Sequence, residues 1–241
     1  MTDSSLTRRN LCCGVAAAAA AVTAVSVSGQ AQAQANACTA YTSQRQQAMS
    51  PAEAIEELRR GNARFLNNQS VHCDLLEQVH MTSAGQAPFA AVVGCMDSRV
   101  PPELVFDQQI GSIFSIRIAG NYVDPSITGG LEFATAVVGT RAILVLGHTG
   151  CGAIRGAIDD VELGNLTTTL AHLTPAVEAA GAVGADSADS NVMWDVAAEN
   201  VRLGMASLTD NSAILAEQVA KGDLLIAGAM HDVANGQVTF L

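Results

Sequence analysis

The run Phe-Ala-Ala-Val-Val-Gly at residues 89–94 decides the fold class of this chain, because it is short and apolar throughout. Strands that are buried on both faces have this pattern, and they are typical of parallel sheets. Three further apolar runs and a short last segment predict the other strands of the same sheet. They lie at residues 113–118, 142–147, 224–229 and 238–240.

Helical patterns alternate with these strands. Ser50-Pro51-Ala52-Glu53 combines an N-cap serine, a proline at the first helical position and a capping-box glutamate, and predicts a helix to about Asn67. The apolar face of that helix carries Ile55, Leu58 and Phe65. Further helices are predicted at 128–139, after Cys151, at 191–208 and at 212–220. The alternation predicts an α/β fold, with a parallel-rich central sheet flanked by helices, as one domain over residues 50–241.

Two segments have less definite patterns. The stretch from Val71 to Ala87 has no clear period, and both a helix and a loop remain open there. Residues 181–190 are small and polar and predict a loop, after which the helical pattern resumes. Neither segment indicates a domain boundary.

The first 35 residues have the composition of a targeting segment. Thr7-Arg8-Arg9-Asn10-Leu11 is a twin-arginine motif, and the small apolar stretch from Cys12 to Val27 follows it. Two A-x-A cleavage sites end the segment, at 31–33 and 33–35. The pattern predicts a cleavable twin-arginine signal peptide over residues 1–35, export to the periplasm or the medium, and no stable membrane association after cleavage. A stretch of about 16 weakly apolar residues is short for a transmembrane helix. Residues 36–49 are predicted to form a flexible lead-in.

The charge balance excludes one class of function. The 241 residues include 23 acidic and 12 basic side chains, which gives a formal net charge of −11. The basic residues form no cluster along the sequence, so a phosphate backbone would meet net repulsion. We therefore expect no nucleic-acid partner.

Six cysteines divide into three groups. Cys12 and Cys13 lie within the predicted signal peptide. Cys38 and Cys73 lack polar motifs around them, and in an oxidising compartment either a disulfide between them or two free thiols is consistent with the sequence. Cys95 and Cys151 each follow an apolar strand within a polar motif, where a thiolate is useful as a metal ligand.

Two polar motifs follow two of the predicted strands. The first is Cys95-Met96-Asp97-Ser98-Arg99, in which extended geometry would place residues 95, 97 and 99 on one side. The second is His148-Thr149-Gly150-Cys151-Gly152, whose glycines permit a tight turn. Ligands of such sheets bind beyond the carboxyl ends of the strands. Two thiolates, one imidazole and an open fourth position are typical of a catalytic zinc ion.

The motifs together resemble those of the beta-class carbonic anhydrases, from about residue 45 to the end of the chain. The matching stretches are C-M-D-S-R-V-P-P-E at 95–103, A-G-N at 119–121, G-H-T-G-C-G-A-I at 147–154 and D-V-A-N-G-Q-V-T-F-L at 232–241. Met96 and the pair Met230-His231 depart from residues that are common in the family.

The resemblance implies Zn²⁺ on Cys95, His148 and Cys151, with water or Asp97 in the fourth place. It also implies a catalytic dyad of Asp97 and Arg99. The expected activity is the reversible hydration of carbon dioxide to bicarbonate and a proton by zinc-bound hydroxide. The expected assembly is a homodimer or homotetramer, in which an N-terminal helical arm packs on a partner subunit.

Two other functions remain open at this point. The same zinc chemistry would suit the hydrolysis of carbonyl sulfide or carbon disulfide, and a non-catalytic zinc protein would need a fixed fourth ligand in place of the Asp97–Arg99 pair. The remaining histidines lack ligand spacing and are interpreted as surface or core residues; they are His72, His80, His172 and His231. His231, near the C-terminal strand, is the candidate among them for a proton shuttle.

Overall fold

A five-stranded sheet lies at the centre of the unit Ala40–Leu241 in the computed structural model, which describes residues 38–241. The strands are β1 (Ala90–Gly94), β2 (Ile113–Arg117), β3 (Ala142–His148), β4 (Leu225–His231) and β5 (Val238–Phe240). Their order is β2-β1-β3-β4-β5, and β5 alone of these five strands runs antiparallel to its neighbour. The predicted α/β fold with a parallel-rich sheet is confirmed.

Helices cover the sheet on both faces. They are α1 (Ser43–Ala48), α2 (Pro51–Leu66), α3 (Leu75–Thr82), α4 (Pro102–Val105), α5 (Pro125–Glu132), which a π-helical turn (Phe133–Val137) continues, α6 (Gly152–Ile158), α7 (Gly164–Ala171), α8 (Thr174–Ala179), α9 (Ser190–Asp210) and α10 (Ala213–Lys221). The predicted α2, α6, α9 and α10 are confirmed. The open question over residues 71–87 resolves into a helix, α3, between two loops.

Side chains of alternating direction fill the core on the two faces of the sheet. Ala91 and Val93 of β1 pack toward α9, whereas Ala90 and Val92 pack toward α2. Helix α9 crosses the sheet so closely that a Cβ on Gly228 would lie 2.5 Å from the Met205 Sδ. Helix α9 therefore packs directly against β4.

Helix α2 confirms its predicted start and corrects its predicted face. The Ser50 hydroxyl accepts from the Glu53 backbone N–H, and the Glu53 carboxylate accepts from the Ser50 N–H in return. Ile55 and Leu58 are buried as predicted, but Phe65 is 38% exposed. Phe65 lies in the last turn of α2, and its ring packs beside Gly236, in the turn between β4 and β5.

The predicted flexible lead-in at residues 36–49 is corrected over its described part. Thr42 caps α1, and Gln46 within this helix is buried. The Gln46 Nε2 donates to the Pro88 carbonyl at 2.8 Å, and the Arg141 Nε donates to the Met49 carbonyl at 3.0 Å. Polar side chains therefore anchor this segment. The prediction was wrong because it relied on apolar periodicity, which polar anchors do not produce.

Two further predictions concern the N-terminal segment and the cysteines. The predicted signal peptide at 1–35 lies outside the described residues. Over residues 38–241, no helix has the length and apolarity needed to cross a membrane. Cys38 and Cys73 are both disulfide-bonded, which contradicts the alternative of two free thiols, while a bond between these two residues stays a prediction. Cys95 and Cys151 are free.

Candidate metal centre

The pairing of β1 with β3 brings the two polar motifs to one edge of the sheet. The strands are parallel, with Gly94 opposite Leu146. Cys95 directly follows β1 and His148 ends β3, so both lie at the carboxyl edge. Gly150 adopts a positive φ of 64°, which turns the chain so that Cys151 returns to the same place at the start of α6.

Three ligand atoms converge there, from Cys95, His148 and Cys151. These atoms all lie within 4.8 Å of one another, and the three residues are buried. The two sulfurs are 3.9 Å apart. Two zinc–sulfur bonds of about 2.3 Å at a tetrahedral angle would place them about 3.8 Å apart. The predicted trio therefore fits a zinc ion without rearrangement.

The His148 ring supports the same assignment. Its Nδ1 lies 3.0 Å from the Thr149 carbonyl, while its buried Nε2 has no hydrogen-bond partner among the described residues. A buried polar atom without a partner is costly, and a metal ion supplies the partner. The Nε2 is thus the nitrogen that is available as a ligand.

The two thiols share negative charge unequally. The pKa of Cys95 is lowered to about 4, first because the Cys151 thiol donates to its sulfur, and further because the Gly120 N–H donates to it. The pKa of Cys151 is raised by that same donated bond, by burial and by the neighbouring thiolate. A bound dication would favour the thiolate form of both residues.

Asp97 and Arg99 form a bidentate salt bridge beside the three ligand residues. The Arg99 Nε donates to the Asp97 Oδ1 at 2.9 Å, and an Arg99 Nη donates to Oδ2 at 2.7 Å. The same Nη group also reaches the Gly150 carbonyl at 3.3 Å. The pKa of Asp97 lies well below its usual range because Arg99 donates to it. Asp97 is not among the converging ligand atoms, and its role as a fourth ligand stays a prediction.

Arg117, at the end of β2, is a site residue that sequence reasoning missed. Its Nε donates to the Cys95 carbonyl at 3.0 Å, and its Nη donates to the Asp97 carbonyl. It therefore braces the main chain of the first motif from the neighbouring strand. The signal in the sequence is that Arg117 is the one charged residue of the run at 113–117 and stands at its carboxyl end. In the structure it lies opposite Gly94.

The turn after β2 also contacts the metal ligands. Gly120 has a φ of 78° and donates its N–H to the Cys95 sulfur at 3.4 Å. The Asn200 side chain of α9 donates to the Gly120 carbonyl at 2.9 Å and holds the turn in place. The turn also stabilises a thiolate, a role that spacing alone does not reveal.

The other histidines separate into two groups. His72, His80 and His172 are exposed, in line with the surface interpretation. His231 is 3% exposed and lies opposite His148 in the β3–β4 register. Both of its ring nitrogens lack hydrogen-bond partners among the described residues, and burial, followed by the nearby His148, lowers its pKa. His231 is thus neither a surface residue nor a hydrogen-bonded core residue, and its role as a proton shuttle stays a prediction.

Comparison with known proteins places the same residues in a family. The family model described as "Carbonic anhydrase" matches residues 90–238. A carbonic anhydrase of Mycolicibacterium smegmatis is 33% identical over 78% of this chain and 92% of its own length. Carbonic anhydrase 2 of Mycobacterium tuberculosis is 30% identical over 78% of this chain and 91% of its own. Among solved structures, a beta-carbonic anhydrase of Sordaria macrospora matches with a TM-score of 0.60 and 28% identity, over 68% of this chain and 89% of that one.

Proposed function

The chain belongs to the beta class of the carbonic anhydrase family and catalyses the hydration of carbon dioxide, and on this premise we propose that Asp97 and Arg99 are its catalytic dyad. The observation that carries the proposal is the position of this pair. Arg99 contacts Gly150, which directly precedes the ligand Cys151, and Asp97 is two residues from the ligand Cys95. The dyad therefore lies in the loop that follows β1 and contacts the loop that follows β3, and these two loops carry the metal ligands.

Cys95, His148 and Cys151 are the residues that would hold the zinc ion. When bound, zinc acts as a Lewis acid that makes water a nucleophile near neutral pH. The two thiolates place two negative charges on the metal, so this site is a weaker Lewis acid than one built from three neutral imidazoles. A hydrogen-bond acceptor beside the reacting water is correspondingly useful.

Asp97 supplies that acceptor. Its carboxylate is ionised at neutral pH, because the hydrogen bonds from Arg99 lower its pKa. Each carboxylate oxygen has two lone-pair positions, and the Asp97 Oδ2 accepts one bond from the Arg99 guanidinium. The second position of Oδ2 can accept a hydrogen bond from the reacting water and so orient the water oxygen toward carbon dioxide.

Arg99 fixes the direction of that acceptor. A guanidinium donates through a planar fork, and here it binds both oxygens of Asp97. The backbone N–H of Arg99 donates to the Asp97 Oδ1 as well, at 2.9 Å. Without the fork, the carboxylate would be free to rotate toward the metal and block the position of the water. Arg99 thus keeps Asp97 off the metal and correctly oriented.

Replacement of Arg99 tests the dyad. We expect Arg99→Ala to retain zinc but to lower kcat/KM for carbon dioxide hydration by about 100-fold or more, because the acceptor loses its orientation. Arg99→Lys, which keeps the charge but not the fork, should give an intermediate rate. Stopped-flow hydration assays with zinc analysis of the same samples measure both quantities.

The matched control for this test is Arg202→Ala, which removes a surface arginine that pairs with Glu199 at 3.2 Å. Its rate should equal that of the unmodified protein, since an exposed ion pair contributes little. A zinc-loaded Arg99→Ala protein with unchanged turnover would exclude the catalytic dyad while leaving the zinc site intact.

We propose further that residues 1–35 direct the folded protein out of the cytoplasm by the twin-arginine route. The motif at residues 7–11 and the A-x-A sites support this proposal. The disulfide-bonded state of Cys38 and Cys73 agrees with it, because disulfides persist in oxidising compartments. Transport in the folded state would also allow the zinc to be bound before export.

Replacement of Arg8 and Arg9 by lysine tests the export route. We expect the double substitution Arg8→Lys and Arg9→Lys to leave the protein in the cytoplasm at its full length, whereas the unmodified protein is recovered outside the cytoplasm and shortened. Cell fractionation with mass determination measures both. The adjacent exposed pair in α2 provides a matched control, Arg59→Lys with Arg60→Lys, which should be exported normally. Normal export of the Arg8 and Arg9 variant would contradict the proposal.

We also propose that the chain forms a homodimer or homotetramer. The Sordaria macrospora structures that it resembles are described as tetrameric. Large apolar side chains of α3 are exposed in the single chain, which is typical of a surface that a partner covers; they are Leu75, Leu76, Val79 and Met81. The predicted packing of the N-terminal arm on a partner belongs to this proposal.

Light scattering at micromolar protein concentration tests the assembly. We expect the mass of a dimer or tetramer, and a shift toward smaller species for Leu76→Glu, which places a charge on the proposed contact. Leu163→Glu is the matched control, since Leu163 is 66% exposed and Leu76 is 72% exposed. A monomer mass for the unmodified protein over the whole concentration range would refute the oligomer.

A further inference from the structure

The turn after β4 forms hydrogen bonds with Thr149, the residue that follows the metal ligand His148. The Thr149 N–H donates to the His231 carbonyl at 2.9 Å, and its hydroxyl donates to the Asp232 Oδ1 at 3.2 Å. The same hydroxyl accepts from the Val233 N–H at 3.0 Å. Thr149 is therefore tied to this turn at three points, through its main chain and through both hydrogen-bonding functions of its hydroxyl.

Asp232 is itself immobilised. Its Oδ1 accepts from the Ala234 N–H at 2.9 Å, and its Oδ2 accepts from the Asn235 Nδ2 at 2.8 Å. Its main chain is paired as well, with the N–H donating to Gln237 at 2.8 Å and the carbonyl accepting from Gly236 at 2.7 Å. The carboxylate that meets the Thr149 hydroxyl is thus a fixed acceptor, built by the segment Asp232–Gln237.

These hydrogen bonds fix the position of the Thr149 carbonyl relative to the His148 ring. It lies 3.0 Å from the His148 Nδ1, and it can only accept a hydrogen bond. A neutral imidazole has one N–H and one lone pair, so a proton on Nδ1 leaves the lone pair on Nε2. The buried Nε2, which has no hydrogen-bond partner in the described part of the chain, is then available to bind a metal.

We propose that Thr149 and Asp232 are positioning residues for the metal site, which set the tautomer and orientation of His148 through the Thr149 carbonyl. Neither residue touches the metal ligands with its own side chain in this scheme. The inference rests on the zinc site of the proposed function and extends it to a second layer of residues. Metal-binding histidines commonly donate their other ring nitrogen to such a layer, and its loss typically weakens metal binding 10–100-fold.

The test compares three variants of the full chain. Thr149→Val keeps the shape of the side chain but removes the hydroxyl, and should weaken zinc binding about 10–100-fold. Thr149→Ser restores the hydroxyl and should return the affinity to within about threefold of the unmodified protein. Asp232→Asn keeps an oxygen acceptor for the hydroxyl but removes the charge, and should cause a smaller loss. Competition for zinc with a chromophoric chelator measures the affinity.

A second readout separates positioning from general damage to the fold. Nitrogen-15 NMR of the metal-free protein should show the His148 proton on Nδ1 in the unmodified chain and in Thr149→Ser, and a mixture of tautomers in Thr149→Val. Ser187→Ala is the control, because the Ser187 hydroxyl donates to the Asp159 Oδ2 at 3.0 Å in a comparable bond outside the metal motifs. Its zinc affinity should be unchanged.

Two results would overturn the inference. One is a Thr149→Val protein with unaltered zinc affinity and an unaltered His148 tautomer, and the other is a Thr149→Ser protein as weak as Thr149→Val. In both cases zinc binding by the unmodified protein would leave the proposed function standing. Failure of the unmodified protein itself to bind zinc would remove both. If Thr149→Val does not fold, Asp232→Asn with unchanged affinity and tautomer decides against the inference.

Discussion

The parallel pairing of β1 with β3 is the constraint on which the site depends. With Gly94 opposite Leu146, the first residue after β1 and the last residue of β3 meet at one edge, and a tight turn returns Cys151 to the same point. No single segment of the chain contains the three ligands. The hydrophobic burial of both strands on both faces therefore holds the metal site together.

Hydrogen bonds from outside the two motifs refine this geometry. Arg117 braces the first motif from β2, and the Gly120 N–H reaches the Cys95 sulfur. On the other side, Asp232 and Thr149 link the end of β4 to His148. The strands that flank β1 and β3 thus each contribute polar groups at their carboxyl ends, and these groups orient ligands that the central strands supply.

The sequence predicts the metal ligands better than it predicts the residues that hold them in place by hydrogen bonds. Cys95, His148 and Cys151 stand in short motifs after apolar runs, so their type and spacing indicate a metal site, and the family resemblance implies all three as ligands. Arg117 and Asp232 act on residues about 20 and 80 positions away, and their roles depend on the order of strands in the sheet.

The two wrong predictions, for residues 43–49 and for Phe65, also failed because the outcome depends on contacts between distant parts of the chain. Residues 43–49 are anchored by the buried amide of Gln46, which apolar periodicity does not register. Phe65 has the spacing of a core residue but packs beside the turn at Gly236 and stays 38% exposed. In both cases tertiary contacts, rather than local pattern, decide the outcome.

The most direct test of the account is carbon dioxide hydration measured while zinc is returned stepwise to the metal-free protein. Stopped-flow rates and zinc content would be determined on the same samples. The account predicts that the rate rises in proportion to bound zinc and reaches its maximum at one zinc ion per chain. A protein that holds one zinc ion per chain and does not hydrate carbon dioxide would contradict it.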